Sequence, residues 1–142
     1  MRKVLVMVPD LMFGVKIGDV VRALGGTPVD VTPVTLLRHA ADADLLVVDS
    51  GQLNGWSEAV RALKADPQGA SVPVLAFGPH VDVAAQRAAL AVGCERVVTR
   101  GKLAAELPTL LQATARGTRQ PDSAAPAALD EQGSVIPSKG AV

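Results

Sequence analysis

Tyrosine is absent from this sequence, and aromatic side chains number only three: Phe13, Trp56 and Phe77. That leaves no stacking platform for single-stranded nucleic acid. Net charge is missing too, because 14 basic and 14 acidic residues cancel. No basic field draws the chain to nucleic acid. The single cysteine, Cys94, can neither close an internal disulfide nor build a zinc site, and it fits a reducing compartment. No apolar run approaches the ~20 residues that span a bilayer. The first apolar stretch, Val4 to Val8, stops at Pro9-Asp10 and is too short for a secretion signal. A cytoplasmic protein with neither membrane nor nucleic-acid partners is the expectation. Nucleotide and acyl-transfer signatures are also lacking. There is no Walker loop and no nucleophile elbow, and VPDLMF stands where a glycine fingerprint would follow the first strand.

What the chain does have is apolar residues, 49% of 142, enough for one domain with its own core. Their period switches repeatedly. VLVMV (4–8) reads as a strand buried on both faces. Ile17, Val20, Val21 and Leu24 then fall at helical spacing, stopped by Gly25-Gly26. Pro28 to Val31 is a brief strand, and Thr32-Pro33 opens a short helix to about Ala40. Leu45 to Val48 is the second strongly buried strand, running straight into Asp49. Trp56, Val60 and Leu63 mark a helix ending near Ala65. VPVLAF (72–77) is a strand with Pro73 at its start. Asp82 caps an alanine-rich helix through Val92, Arg96 to Thr99 is the last strand, and a final helix runs from Lys102 to about Ala115, split or kinked by Pro108.

Five strand–helix units give an α/β fold, a doubly wound (βα)5 parallel sheet of the flavodoxin-like kind. Placing the two all-apolar strands side by side at the centre predicts strand order 2-1-3-4-5, with a ligand crevice beyond the carboxyl ends of strands 1 and 3. Asp10 and Asp49 fall there. Residues 1–115 form this domain. Residues 116–142, with three prolines and no apolar period, read as a disordered Pro/Ala/Gly/Ser tail.

The landmarks KVLVMV, DLLVVDSGQLNGW, VPVLAFG and GCERVVTRGK, taken in order, resemble the receiver domain of two-component response regulators over residues 2 to about 115. The resemblance implies that Asp49 matches the phospho-acceptor. It also shows where the chain departs from the family. The acidic pair after strand 1 falls on Val8 and Pro9, the hydroxyl residue after strand 4 on Gly78, and the aromatic of strand 5 on Val97. The family's lysine falls on Arg100, and the proline after it on Gly101. Aspartyl phosphorylation needs a cation to neutralise charge building on the phosphoryl oxygens, and magnesium wants several oxygen ligands. Asp10 and Asp49 would give magnesium a weak foothold at most, so no cofactor is expected. The chain reads as a degenerate, or pseudo-, receiver that signals by protein–protein interaction, with another protein or with itself. One alternative is a stand-alone response regulator phosphorylated on Asp49. A second is a small enzyme using Asp49 and His80.

Each site residue also carries a plainer reading. Asp49 could merely cap a loop amide, and His80, in FGPHVD, could be an exposed turn residue. With Asp10, Gly78, Thr99 and Arg100, these residues line the expected crevice, where Arg100 is placed to pair with Asp49. Cys94 reads as a small packing residue. Gly14 and Gly18 read as a close-packing pair, onto the sheet or onto a partner. The DLMFGVKI start and the FGPHV loop resemble stretches of other receiver-like proteins, which nominates Phe13 and Lys16 as an interaction surface. Trp56 is added as a core-edge anchor or interface residue.

Overall fold

A computed structural model of the chain describes residues 2–115. The proposed tail, 116–142, lies outside the described residues. Five parallel strands are joined by helices: β1 Lys3–Met7, β2 Thr27–Asp30, β3 Leu45–Asp49, β4 Val74–Gly78 and β5 Arg96–Thr99. The helices are α1 Leu11–Ala23, α2 Trp56–Ala65, α3 Val83–Ala91, α4 Arg100–Ala105 and α5 Leu107–Thr114. The strand order is β2-β1-β3-β4-β5. The sheet is therefore the expected one, with β1 and β3 paired in the register Val4↔Leu45 to Met7↔Val48.

Alternation along the central strands divides the core in two. Val4, Val6, Leu45, Val47, Leu75 and Phe77 point to the face covered by α1, α4 and α5. Leu5, Met7, Leu46, Val48, Val74 and Ala76 point to the face covered by α2, α3 and the turn near Leu36. Burying both faces is why these strands read as unbroken apolar runs. The two faces differ in bulk. The first holds both phenylalanines and four leucines from α4 and α5, whereas the second uses Ala40, Ala43, Ala59, Ala89 and Cys94.

Three boundaries depart from the sequence expectation. The helix expected from Thr32 to Ala40 is only a single 3-10 turn, Leu36–His39. Thr32 and Thr35 close the preceding turn on each other: each hydroxyl accepts the other residue's backbone N–H, at 2.9 and 3.2 Å. Such side-chain bonds compete with helix formation. β4 begins at Val74, after Pro73, because the Val74 N–H is taken by the Glu95 carboxylate at 2.7 Å. Lys64 clamps that carboxylate at 2.9 Å and donates to the Val72 carbonyl at 2.7 Å. The last helix starts two residues earlier than expected, on a Thr99 cap, and breaks into α4 and α5 at Glu106. Pro108, near the start of α5, has no N–H to carry α4 onward.

α3 is lightly held: the small Ala89 is its only buried residue, while Val83 and Leu90 face solvent. Its start depends on Asp82, whose carboxylate accepts the Ala85 N–H at 2.8 Å. Asp82→Ala is expected to cost about 1 kcal/mol, confined to this helix. Native-state hydrogen exchange should show a severalfold rise at residues 85–91 with β1 and β3 unchanged; an equal rise in the central strands would contradict this account.

Candidate functional site

The crevice lies beyond the C-terminal ends of β1, β3 and β4, where the sheet delivers three chain segments side by side. β3 brings Asp49, whose side chain is only 1% exposed. One of its oxygens, Oδ1, accepts the backbone N–H groups of Gly51 and Gln52 at 2.9 and 3.0 Å. This carboxylate oxygen thus ties down the loop that leaves the strand. The other, Oδ2, is buried with no hydrogen-bond partner. The nearest cation is Arg100, with Nη1 at 3.6 Å.

Asp10 is the N-cap of α1. Its Oδ1 accepts the Phe13 N–H at 3.1 Å, and its Oδ2 accepts from Arg100 Nη2 at 2.5 Å. Arg100, the first residue of α4, therefore stands between the two carboxylates. Its guanidinium lies 4.4 Å from the Phe13 ring centre and 5.9 Å from that of Phe77. The two rings meet edge-on, 5.2 Å apart at 65°. A guanidinium over an aromatic face is held by the ring quadrupole as well as by its ion pairs. The Asp10 carboxyl is held below the ordinary aspartate value of 3.8, first by the Phe13 N–H and, against a cost from burial, by Arg100.

The remaining residues fall as follows. Gly78 ends β4 and is buried; a side chain there would meet Ser50 Oγ at 3.3 Å. Ser50 Oγ instead donates to the Phe77 carbonyl at 3.1 Å, so no hydroxyl is directed at Asp49 from this side. A side chain on Gly51 would collide with Pro79, which keys the loop after β3 to the loop after β4. Thr99 is used as the cap of α4, accepting the Lys102 N–H at 3.0 Å. His80 is exposed, and among the described residues it makes no hydrogen bond or ion pair with Asp10 or Asp49. Val97 is half-buried against the α2–α3 side of the core.

Of the three residues nominated for an interaction surface, Lys16 is exposed and Trp56 is half-buried against the core. Phe13 is not a surface residue: it is 8% exposed, packed under Arg100 and against Phe77. Its position three residues after the Asp10 cap turns it onto the sheet. The expected close packing at Gly14 and Gly18 is not needed: a side chain on Gly18 would meet the Pro28 ring at 3.5 Å and one on Gly14 would meet the Val8 carbonyl at 4.0 Å, both ordinary contacts. Phe77 is a site residue that sequence reasoning missed, because an aromatic in an apolar strand reads as core. The available signal was that the chain's two phenylalanines sit in DLMF and at the end of a strand, both beside the expected crevice. The Cys94 thiol is pushed up to about 12, mainly by burial and then by the Glu95 charge. It therefore stays protonated and unreactive.

With Arg100 in place, these residues do not fit a divalent cation. Val8 and Pro9 offer no side-chain oxygen, both Asp10 oxygens are engaged, and Asp49 has only Oδ2 to spare. Among the described residues, no three His, Cys, Asp or Glu side chains group to hold a metal. No helix among them is long and apolar enough to cross a membrane.

No family model and no curated protein matches the sequence. Solved structures do match. The chemotaxis protein CheY4 of Vibrio cholerae superposes with a TM-score of 0.72 at 19% identity, covering 80% of this chain and 98% of that one. The receiver domain of a Pseudomonas aeruginosa sensor histidine kinase, with magnesium coordinated in its active-site cleft, gives 0.68 at 21%, covering 80% and 96%. An orphan response regulator of H. pylori gives 0.61 at 16%, covering 78% and 96%. At such identities the likeness establishes the fold, and that fold is the one shared by response-regulator receiver domains.

The lowered Asp10 pKa has a definite sign. Its contribution to stability is present above the unfolded value and is lost as pH falls through the lower folded value. Asp10→Asn keeps a capping oxygen but removes the charge. Urea midpoints measured from pH 6 downward should therefore fall more steeply for wild type than for the variant below about pH 4. Parallel curves would show that the Asp10 charge, held by the Phe13 N–H and by Arg100, contributes nothing.

Proposed function

We propose that this chain is a receiver-fold signalling module that works by binding a protein and does not depend on phosphorylation of Asp49. The observation that carries this reading is the Arg100 guanidinium lodged between Asp10 and Asp49. The one free acceptor oxygen, Asp49 Oδ2, lies buried beside that group. A phosphoryl donor would have to displace Arg100 to reach it, and no oxygen cluster waits to hold the cation that phosphoryl transfer uses. The relay is also altered. Gly78 has no hydroxyl to reach a phosphoryl oxygen, and Val97 has no ring to swing after it.

The chemistry of binding has a surface to use. α3 shows solvent Val83, Leu90 and several alanines, with Gln86 and Arg87 its only long polar side chains. A small-residue helix face of this kind suits helix-on-helix packing with a partner or a second copy. A second reading, phosphorylation on Asp49, draws on the unpaired state of Oδ2, an oxygen that makes no hydrogen bond it would have to give up.

Acetyl phosphate with millimolar magnesium separates the two. The expected result is no phosphorylated species by Phos-tag gel or intact mass. Light scattering should show an assembly, either a dimer or a complex with a co-purified protein. Asp49→Asn should leave that assembly intact, and Leu90→Glu should weaken it by about tenfold or more, which is about 1.4 kcal/mol. Stoichiometric phosphorylation that Asp49→Asn abolishes would overturn the binding reading.

A further inference from the structure

We propose that Arg100 is the resident cation of the crevice, a latch that occupies the Asp10–Asp49 carboxylate pair and keeps divalent cations out, so that the pair is masked rather than dismantled. The inference takes the crevice geometry from the preceding reading but makes a separate claim about what the carboxylates would do without the arginine.

Three observations lead there. First, one guanidinium serves two carboxylates, and serves them unequally. Nη2 bonds Asp10 Oδ2 at 2.5 Å, whereas Nη1 stays 3.6 Å from Asp49 Oδ2. The latter distance is beyond a hydrogen bond. Asp49 Oδ2 is thus a buried anion-bearing oxygen, on a residue 99% removed from solvent, with a cation near it but not on it. Buried carboxylate oxygens are normally satisfied, so this one keeps lone pairs committed to no hydrogen bond, with Arg100 as its neighbour. A small ion can sit at about 2.0–2.6 Å from a carboxylate oxygen, closer than the planar guanidinium comes.

Second, what holds Arg100 in place is more than charge. Its flat face lies over Phe13 and near Phe77, the two phenylalanines of the chain. A lysine ammonium has neither the plane to stack nor a second nitrogen to divide between two acids. The arginine's backbone is also fixed, as the first residue of α4 behind the Thr99 cap.

Third, the latch sits at the surface of the crevice. Its side chain is 31% exposed, so shortening it uncovers the acids without opening the core. Asp10 and Asp49 are themselves held by backbone N–H groups of Phe13, Gly51 and Gln52, bonds that do not involve Arg100. The carboxylates therefore stay in position when the arginine is removed.

The experiment uses manganese as a paramagnetic probe on the full chain, read by NMR. Wild type is expected to show no selective broadening of amide signals in the crevice. Arg100→Ala is expected to show it at residues 10–13 and 49–52 at millimolar manganese, reversed by excess magnesium and abolished when Asp49→Asn is added. A folded Arg100→Ala without such broadening overturns the latch, as does wild type that broadens equally. Should Arg100→Ala fail to fold, wild type still decides. A clamped guanidinium gives separate, slowly exchanging Nη signals that Asp10→Asn merges, and a freely rotating one in wild type refutes the proposal. Phosphorylation of wild type at Asp49 would sink the binding reading by a different measurement, so the two failures are distinguishable.

Discussion

A carboxylate at the end of a strand that is buried on both faces has to be satisfied from within the protein. Asp49 is in that position, following Leu45, Leu46, Val47 and Val48, none of which touches water. An ionised group withdrawn from solvent is expensive unless it is hydrogen-bonded or paired. The structure divides the task between the two oxygens. One gathers the amides of Gly51 and Gln52 and so shapes the loop after β3. The other faces Arg100, which comes from the start of α4, just after the edge strand β5. Holding Arg100 there in turn requires Asp10 at the head of α1 and the rings of Phe13 and Phe77. One buried charge thus brings four segments of the chain together.

The scaffold was legible because each apolar run reports its own burial. VLVMV and LLVV could only be central strands, and the glycine pair after Leu24 could only end a helix: Gly25 takes a positive φ of 88° there. Legibility failed where side chains replaced backbone bonds. Thr32 and Thr35 satisfy each other's amides, and a reading based on caps took the first of them for the start of a longer helix. In the site, Asp49, Asp10 and Arg100 could be nominated from the receiver-like order of strands. What could not be read was the meeting of Asp10 with Arg100, 90 positions away in sequence. Phe13 was legible as a core residue, because it lies four positions before Ile17 on the face that Ile17 and Val21 bury, while Leu11, Met12 and Val15 are exposed; what could not be read was that an arginine would lie over its ring.

The two faces of the sheet are built to different standards. The face with α1, α4 and α5 is packed with phenylalanine, isoleucine and leucine, and it carries the crevice. The opposite face has Leu5, Met7, Leu36, Leu46 and Leu63 but no phenylalanine, and it adds five alanines, a cysteine and a polar clip, Lys64 with Glu95, at the end of the sheet away from Asp49. Dispersion and burial scale with the atoms in contact, so α3 is tied to the sheet by fewer of them. A densely packed crevice end and a helix with little buried surface coexist in one small domain.

Pro79 seated against the bare α-carbon of Gly51 couples the two turns that rim the crevice. A side chain at position 51 would have to push the Pro79 ring aside, so only a bare α-carbon lets the two turns lie this close. Any larger residue at 51 would therefore disturb the loop after β4 as well as its own, and with both the surroundings of Asp49.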